Sequence, residues 1–508
     1  MTATANASVL RARVFSSSYR DSVELMRIAS ELERLPGITR AGLVMGTTAN
    51  RAVLHDAGML SAVPDSAGAN DLIAAVTGSD AAAADGALDR AAALLTAPTV
   101  DIGGAREAFV PTTLAEALSV GPANLALIST PGTYATAEAL KALKRGMHVF
   151  LFSDNVSVSD ELELKTLAVK KRLLLMGPDC GTAIIDGVPL GFANAVARGT
   201  VGLIGASGTG LQQVSCLIDR LGAGVSQAIG VGGRDLDERI GGPMMLAALD
   251  LLAADPGTSV IVLLSKPPAP GVAERVLARA RTAGKPVVVN FLGSDASLVR
   301  SAGLIPAVTL EDAARAAVAI TRGEAPATAD TGDDELSALA TAEAAKLTKG
   351  QRAVRGLYSG GSLAYEAKVV LKLVLGDGAK EQTVIDLGDD EYTVGRPHPM
   401  IDPRLRNEHV VAVGSDEQAA VLVLDVVIGN ASHPDPAGAL APAIAEARAT
   451  AKRAGRYLAV VASVCGTDRD AQGLASQEST LAAAGVLVQP SNARAARLAA
   501  LIVKAARP

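Results

Sequence analysis

The chain has no tryptophan, an aromatic content of only 2%, and three cysteines in 508 residues. Cys180, Cys216 and Cys465 stand far apart and form no C-x-x-C pair. That excludes a disulfide framework and a thiolate zinc site, and it fits a reducing cytoplasm. An excess of basic residues is missing too: 47 Lys and Arg face 53 Asp and Glu, and no basic stretch carries interleaved aromatics. Nucleic acid is therefore not an expected partner. Apolar runs such as Val260 to Leu264 fall far short of the roughly 20 residues that span a bilayer. Met1 to Ser8 are small and polar, with no apolar core of a signal peptide, so a cytoplasmic protein without a membrane partner is expected. There is also no G-x-G-x-x-G followed by an acidic residue about 20 positions later, which excludes an NAD-dependent dehydrogenase.

What is present is aliphatic material, mostly Ala, Val and Leu, in a chain that is 49% hydrophobic. At this length roughly three to four domains are expected. Residues 1–100 read as a small α+β unit of ferredoxin-like or ACT-like pattern, with strands at Val9 to Val14, Ile38 to Met45 and Leu72 to Val76. From 101 to 197 and again from 198 to 322, apolar strands alternate with glycine turns and helices, the pattern of a doubly wound parallel sheet. Residues 323–350, rich in Ala, Thr, Asp and Glu, read as a linker, and 351–508 as a third α/β unit. The fold class is thus α/β, with tandem Rossmann-like and flavodoxin-like domains behind a small N-terminal domain.

The turn Ile204-Gly205-Ala206-Ser207-Gly208-Thr209-Gly210 lies between an apolar strand and a helix. Such a turn leaves free N–H groups at the positive end of a helix, where an anion binds. Ile428-Gly429-Asn430-Ala431-Ser432-His433 follows another strand and repeats the design. Together, Ser207 to Gly210 and Gly429 to Ala431 form an expected phosphate clamp. Three further turns stand at expected strand ends, where open α/β sheets bind ligands: Ser129-Thr130-Pro131, Gly177-Pro178-Asp179-Cys180, and Gly232-Gly233. The charged pair Arg234-Asp235 either meets an anion or holds its own loop. Asp386 to Glu391 group four carboxylates, a solvated loop or else a Mg²⁺ site, and no metal is expected. Among five histidines, His398 lies in a proline-stiffened loop beside Arg396 and Arg404. The arginines suit a carboxylate, and the imidazole suits proton transfer.

These residues carry a resemblance. Thr112 to Ala117, Leu127 to Pro131 and Met176 to Gly181 are similar to the later part of the CoA-binding domain in the succinyl-CoA synthetase α subunit. Gly205 to Gly210 and Gly230 to Gly233 resemble turns further along that subunit, and Ile428 to Asn430 with Gly466 to Asp468 resemble the β subunit's carboxyl domain. With the small N-terminal domain and Arg355 to Gly361, the whole arrangement most resembles the FdrA family. The synthetases carry phosphate on a histidine in a Gly-His-Ala-Gly motif; here that place reads Phe291 to Ser297, and no histidine occurs from 149 to 397. Neither an ATP-grasp domain nor the opening glycine loop of the CoA-binding domain has room.

The resemblance therefore implies a phosphate cradle without a phosphate carrier. It implies a subunit of a heteromeric, oligomeric carbamoyltransferase, converting oxalurate and phosphate into oxamate and carbamoyl phosphate. Phosphate or carbamoyl phosphate would be the ligand, with no resident cofactor. The alternatives are an acyl-CoA synthetase subunit, which binds CoA, and a non-catalytic metabolite-binding subunit.

Overall fold

A computed structural model describes residues 8–18, 20, 22–96, 111–326, 333–393 and 397–506. The described residues fall into two units, 8–96 and 111–506. In the first, strand Leu72–Gly78 lies between Val9–Phe15 and Ile38–Met45, antiparallel to both. Alternation along this central strand splits its side chains between two cores. Leu72, Ala74 and Val76 pack under the helices Ser22–Glu33 and Ala81–Thr96. Ile73 and Ala75 pack on the other face with Leu54 of the helix Thr48–Asp56 and with Met59.

The second unit holds three sheets. Parallel strands Leu125–Ile128, His148–Leu151 and Leu175–Met176 form the smallest. A seven-stranded sheet runs, edge to edge, through Ile305–Pro306, Val287–Phe291, Val260–Ser265, Arg198–Ala206, Val225–Gly230, Thr182–Ile185 and Val188–Gly191. Its last two strands are an antiparallel hairpin that comes from the end of the 101–197 segment. The third sheet is parallel, ordered Thr383–Asp386, Ala353–Tyr358, Ala419–Val427, Ala459–Cys465 and Leu487–Gln489.

The seven-stranded sheet is the middle layer because its strands are apolar on both faces. Val262, Leu264 and Val288 point into a core shared with the helices and strands of the five-stranded sheet. Ile261, Leu263, Val287 and Val289 point the opposite way, into a core shared with Phe150 and Leu151 of the smallest sheet. The stretch read as a linker contains a helix, Asp333–Ala344, whose Leu336 and Ala340 are buried in the first of these cores. Its end is tied down by Tyr457, whose hydroxyl donates to Glu343 at 2.6 Å. A helical apolar spacing of four residues was present there, masked by the surrounding small and charged residues.

Charges buried between the smallest and middle sheets fix a glycine turn. Lys165, fully buried on the helix Val158–Lys171, contacts Asp235 at 2.7 Å and Glu161 at 2.8 Å, and it donates to the Val231 carbonyl at 3.0 Å. Asp235 accepts the N–H groups of Met244 and Met245, at the start of the helix Pro243–Ala254. Arg234 reaches Glu161 at 2.9 Å. The pair Arg234-Asp235 therefore holds its own loop. Replacing the ammonium, as in Lys165→Met, leaves the buried Asp235 without a counter-charge and Glu161 with Arg234 alone, and is expected to cost about 3–5 kcal/mol. Chemical denaturation measures it, and a loss below about 1 kcal/mol would refute the role given to this cluster.

Candidate functional site

At the end of strand Arg198–Ala206 the chain passes through Ser207 into the helix Gly208–Arg220. Ser207 is extended, and its Oγ accepts the Gly210 N–H at 3.0 Å, a serine cap. A Cβ on Gly210 would run into that oxygen, so the cap requires glycine there. Helix geometry leaves the N–H groups of Gly208 and Thr209 without intrahelical acceptors, at the positive end of the dipole.

The design recurs where strand Ala353–Tyr358 passes through Ser359 and Gly360 into the helix Gly361–Leu375. Here the restraint comes from another strand. Asp425, fully buried in Ala419–Val427, accepts the Ser359 N–H at 2.9 Å, the Ser359 hydroxyl at 3.1 Å and the Gly360 N–H at 2.8 Å. Arg406 balances its charge at 3.2 Å and also donates to Ser359 Oγ at 3.1 Å. The two helices meet at their N-termini. Ser207 Oγ and Ser362 Oγ stand 2.5 Å apart, and a Cβ on Gly360 would come within 2.9 Å of Thr209.

Two charged side chains flank this meeting point. A Cβ on Gly361 would run into Asp386 Oδ2 and lie 3.4 Å from Lys266 Nζ. Burial pushes the Asp386 carboxyl up to about 6, against the pull of Lys266 and with help from Asp389 and Asp425. His398 stands beside the Ser359 turn: a Cβ on Gly388 would be 2.6 Å from its Nε2 and 2.7 Å from the Ser359 carbonyl. Its ring packs on Phe192 at 5.6 Å, its Nδ1 accepts the Met400 N–H at 3.2 Å, and burial lowers its pKa to about 4. The imidazole is thus neutral at pH 7, with its proton assigned to Nε2 by that hydrogen bond.

The other residues singled out from the sequence are placed differently. Gly429, Asn430 and Ala431 do not open a helix. The helix Pro436–Arg453 begins downstream and is capped by Asp435. Asn430 donates its N–H to the Ala193 carbonyl at 3.1 Å, and Gly429 donates to Gln472 at 3.4 Å. A second helix end does face the Ser207 turn, and it belongs to Gly361. Arg404 is exposed and paired with Asp402, while Arg396 lies outside the described residues. Ser129, Thr130 and Pro131 are exposed at the start of the helix Gly132–Lys144, which has no side-chain cap. Two of the turns interlock: a Cβ on Gly232 would lie 2.5 Å from the Pro178 carbonyl, and one on Gly233 would lie 3.7 Å from Asp179 Oδ2. Crowding by surrounding protein, followed by Asp154 and Asp390, pushes the Asp179 carboxyl up to about 7, although the residue keeps a solvent-accessible edge. Cys180 is a buried thiol.

Sequence reasoning did not single out Ser362, Asp425, Arg406 or Lys266. One signal was available for Asp425: a lone carboxylate in the otherwise apolar run Val421 to Val427 must have buried partners. Another was the strand–Ser-Gly-Gly-Ser–helix pattern at 359–362, which matches the design at Ser207.

Family models match three stretches: the AllF heavy metal-associated domain over residues 7–108, the CoA-binding domain over 197–293 and the CoA-ligase domain over 357–502. The CoA-binding match falls on the middle sheet, downstream of the 101–197 segment for which that likeness was expected. Residues 7–108 contain no cysteine and one histidine. Among the described residues no group of three His, Cys, Asp or Glu side chains can hold a metal ion, so a thiolate-bound metal does not fit this stretch. No helix among the described residues is long and apolar enough to cross a membrane.

The α subunit 2 of an ADP-forming succinate–CoA ligase from Archaeoglobus fulgidus is 30% identical over 198 residues, 38% of this chain and 67% of that subunit. The α subunit of a malate–CoA ligase from Methylorubrum extorquens is 27% identical over 228 residues, 42% of this chain and 76% of that subunit. These matches overturn the expected carbamoyltransferase and its oxalurate substrate, because the matched catalytic domains and these named relatives belong to CoA ligases. The uncharacterised protein YahF of Escherichia coli K12 is 41% identical over 500 residues, covering 95% of this chain and 96% of its own. The chain accordingly belongs to the acyl-CoA synthetase-like family that includes YahF.

Proposed function

We propose that the chain is a subunit of an acyl-CoA synthetase-like enzyme and that its paired helix N-termini seat the phosphoryl group of an acyl phosphate. The observation that carries this reading is the 2.5 Å approach of Ser207 to Ser362, which brings two positive helix ends to one point. The first-turn N–H groups of Gly208 and Thr209 on one side and of Gly361 and Ser362 on the other are the donors, with Lys266 as the adjacent cation. Such preorganised donors stabilise charge that gathers on phosphate as it leaves an acyl carbon. The uncapped helix start after Ser129, Thr130 and Pro131 fits the diphosphate end of CoA. CoA, when bound, supplies the thiol to which the acyl group passes, and the thiol proton leaves on HPO₄²⁻. The chain itself offers His398 as a neutral donor, and it has no histidine at the place where succinyl-CoA synthetases carry phosphate. Activation by ATP therefore falls to partner subunits in this reading, with FdrA-like oligomers as the assembly.

Isothermal titration with inorganic phosphate and with CoA tests the proposal; binding of neither would reject it. Lys266→Ala is expected to weaken phosphate about tenfold, the worth of one charge-assisted hydrogen bond. Its melting temperature should not change, because Lys266 is exposed.

The pH dependence has a definite sign. Asp386 stands with Lys266 beside Gly361, with Asp389 and Asp425 as the neighbouring negative charges, and its carboxyl titrates at about 6. Below that value it is neutral, and above it its charge repels an incoming anion. Sulfate, whose own charge is constant in this range, is expected to bind more weakly as pH rises through about 6. Asp386→Asn should flatten the profile, and an unchanged profile in that variant would separate Asp386 from the seat.

A further inference from the structure

We infer that Thr182 is a binding residue of the anion seat, its hydroxyl donating to an oxygen of the seated phosphoryl group. The inference rests on the proposed seat and adds to it a side chain from a third element. Thr182 begins the strand Thr182–Ile185, whose neighbour in the sheet is Val225–Gly230. The residue is 1% exposed, yet its Oγ1 has no hydrogen-bond partner among the described residues. A buried hydroxyl without a partner is unfavourable, and valine would fill the same strand position without that penalty. The position of the hydroxyl explains its retention. A Cβ on Gly208 would lie 3.6 Å from Thr182 Oγ1 and 3.8 Å from the Gly181 nitrogen. The hydroxyl therefore lies beside the first turn of the 13-residue Gly208 helix, where N–H groups await an acceptor. An oxygen placed there accepts from the helix and from Thr182 together.

A Cβ on Gly208 would stand in ordinary van der Waals contact with its nearest atoms, so packing alone does not require glycine at this position. That is unlike Gly210, which the serine cap demands. The ligand is thus an oxyanion with an exposed oxygen, either free phosphate or the phosphoryl end of an acyl phosphate.

The test compares Thr182→Val and Thr182→Ser in the full-length chain, titrated with inorganic phosphate and, separately, with acetyl phosphate. Thr182→Val is expected to weaken binding about tenfold while the melting temperature holds or rises, because an unpartnered hydroxyl is replaced by a methyl group. Thr182→Ser should keep binding within about twofold. Should the valine variant not fold, Thr182→Ala is expected to show the same loss. A loss with acetyl phosphate alone assigns the hydroxyl to the acyl phosphate, and a loss with both assigns it to the phosphoryl group in either ligand. Equal affinity for both probes in wild type and Thr182→Val overturns the inference while leaving the seat intact. Failure of the wild type to bind either probe removes the seat itself.

Discussion

The position of one buried carboxylate sets the geometry of the candidate site. Asp425 has no contact with solvent, and a charge so placed persists only with donors all around it. It has four: two N–H groups and a hydroxyl of the Ser359-Gly360 turn, and the Arg406 guanidinium. Asp425 is itself held in register opposite Ser463 in the five-stranded sheet. The start of the Gly361 helix is therefore fixed relative to the sheet through side-chain bonds, where an ordinary turn would be free to vary. That restraint works against the mutual repulsion of the two positive helix ends, whose Ser207 and Ser362 hydroxyls stand within hydrogen-bond distance of each other.

The remaining precision comes from the way the middle and five-stranded sheets are fastened. Asp470 accepts from the Ala195 N–H, the Asn194 side chain and the Thr467 N–H, each at 2.8 Å, while Asn194 also donates to the Ile428 carbonyl at 2.7 Å. On the far side of the Gly361 helix, Glu366 accepts the Leu310 N–H at 2.6 Å and the Asn492 side chain at 2.8 Å. Burial raises the Glu366 carboxyl to about 7. The Gly429 turn is thus part of a fastener: the N–H groups of Gly429 and Asn430 bond within the protein, so they do not await a ligand. The division of labour is physical. A turn whose donors face a neighbouring backbone joins domains, and a turn whose donors face a gap can hold an anion.

That distinction explains what could be read from the sequence. The α/β class was legible because runs such as Val260 to Leu264 and the glycine corners after them have few other uses. The Ser207 turn was legible as a helix start, since Ser-Gly-Thr-Gly after an apolar strand carries both cap and break. Its partner was not. Gly429 and Gly360 both follow strands, and only the tertiary arrangement decides which one is consumed by packing. Likewise Arg234-Asp235 looked equally suited to a ligand and to its own loop until Lys165 and Glu161, from a distant helix, appeared beside it. The linker reading failed for a related reason: Leu336 and Ala340 supply too narrow an apolar stripe to stand out in a polar stretch, although it is enough to seat a helix on a large neighbour.

Charge around the seat follows the same logic. Two helix ends and Lys266 are positive, while Asp386 and Asp179 lie near with carboxyls raised to about 6 and about 7. Fully ionised, these carboxylates would cancel much of the field that draws an anion. With their carboxyls raised, Asp386 chiefly by burial and Asp179 by the surrounding protein together with Asp154 and Asp390, they take up protons more readily than free carboxylates as negative charge arrives and release them as it departs. Under the proposed reading, in which phosphate is held while bonded to an acyl group and then released, such a field would follow the charge of the ligand. A histidine could have served, but His398 is already committed to a backbone N–H and to its apolar surroundings. The adjustable charge in this chain therefore resides on carboxylates.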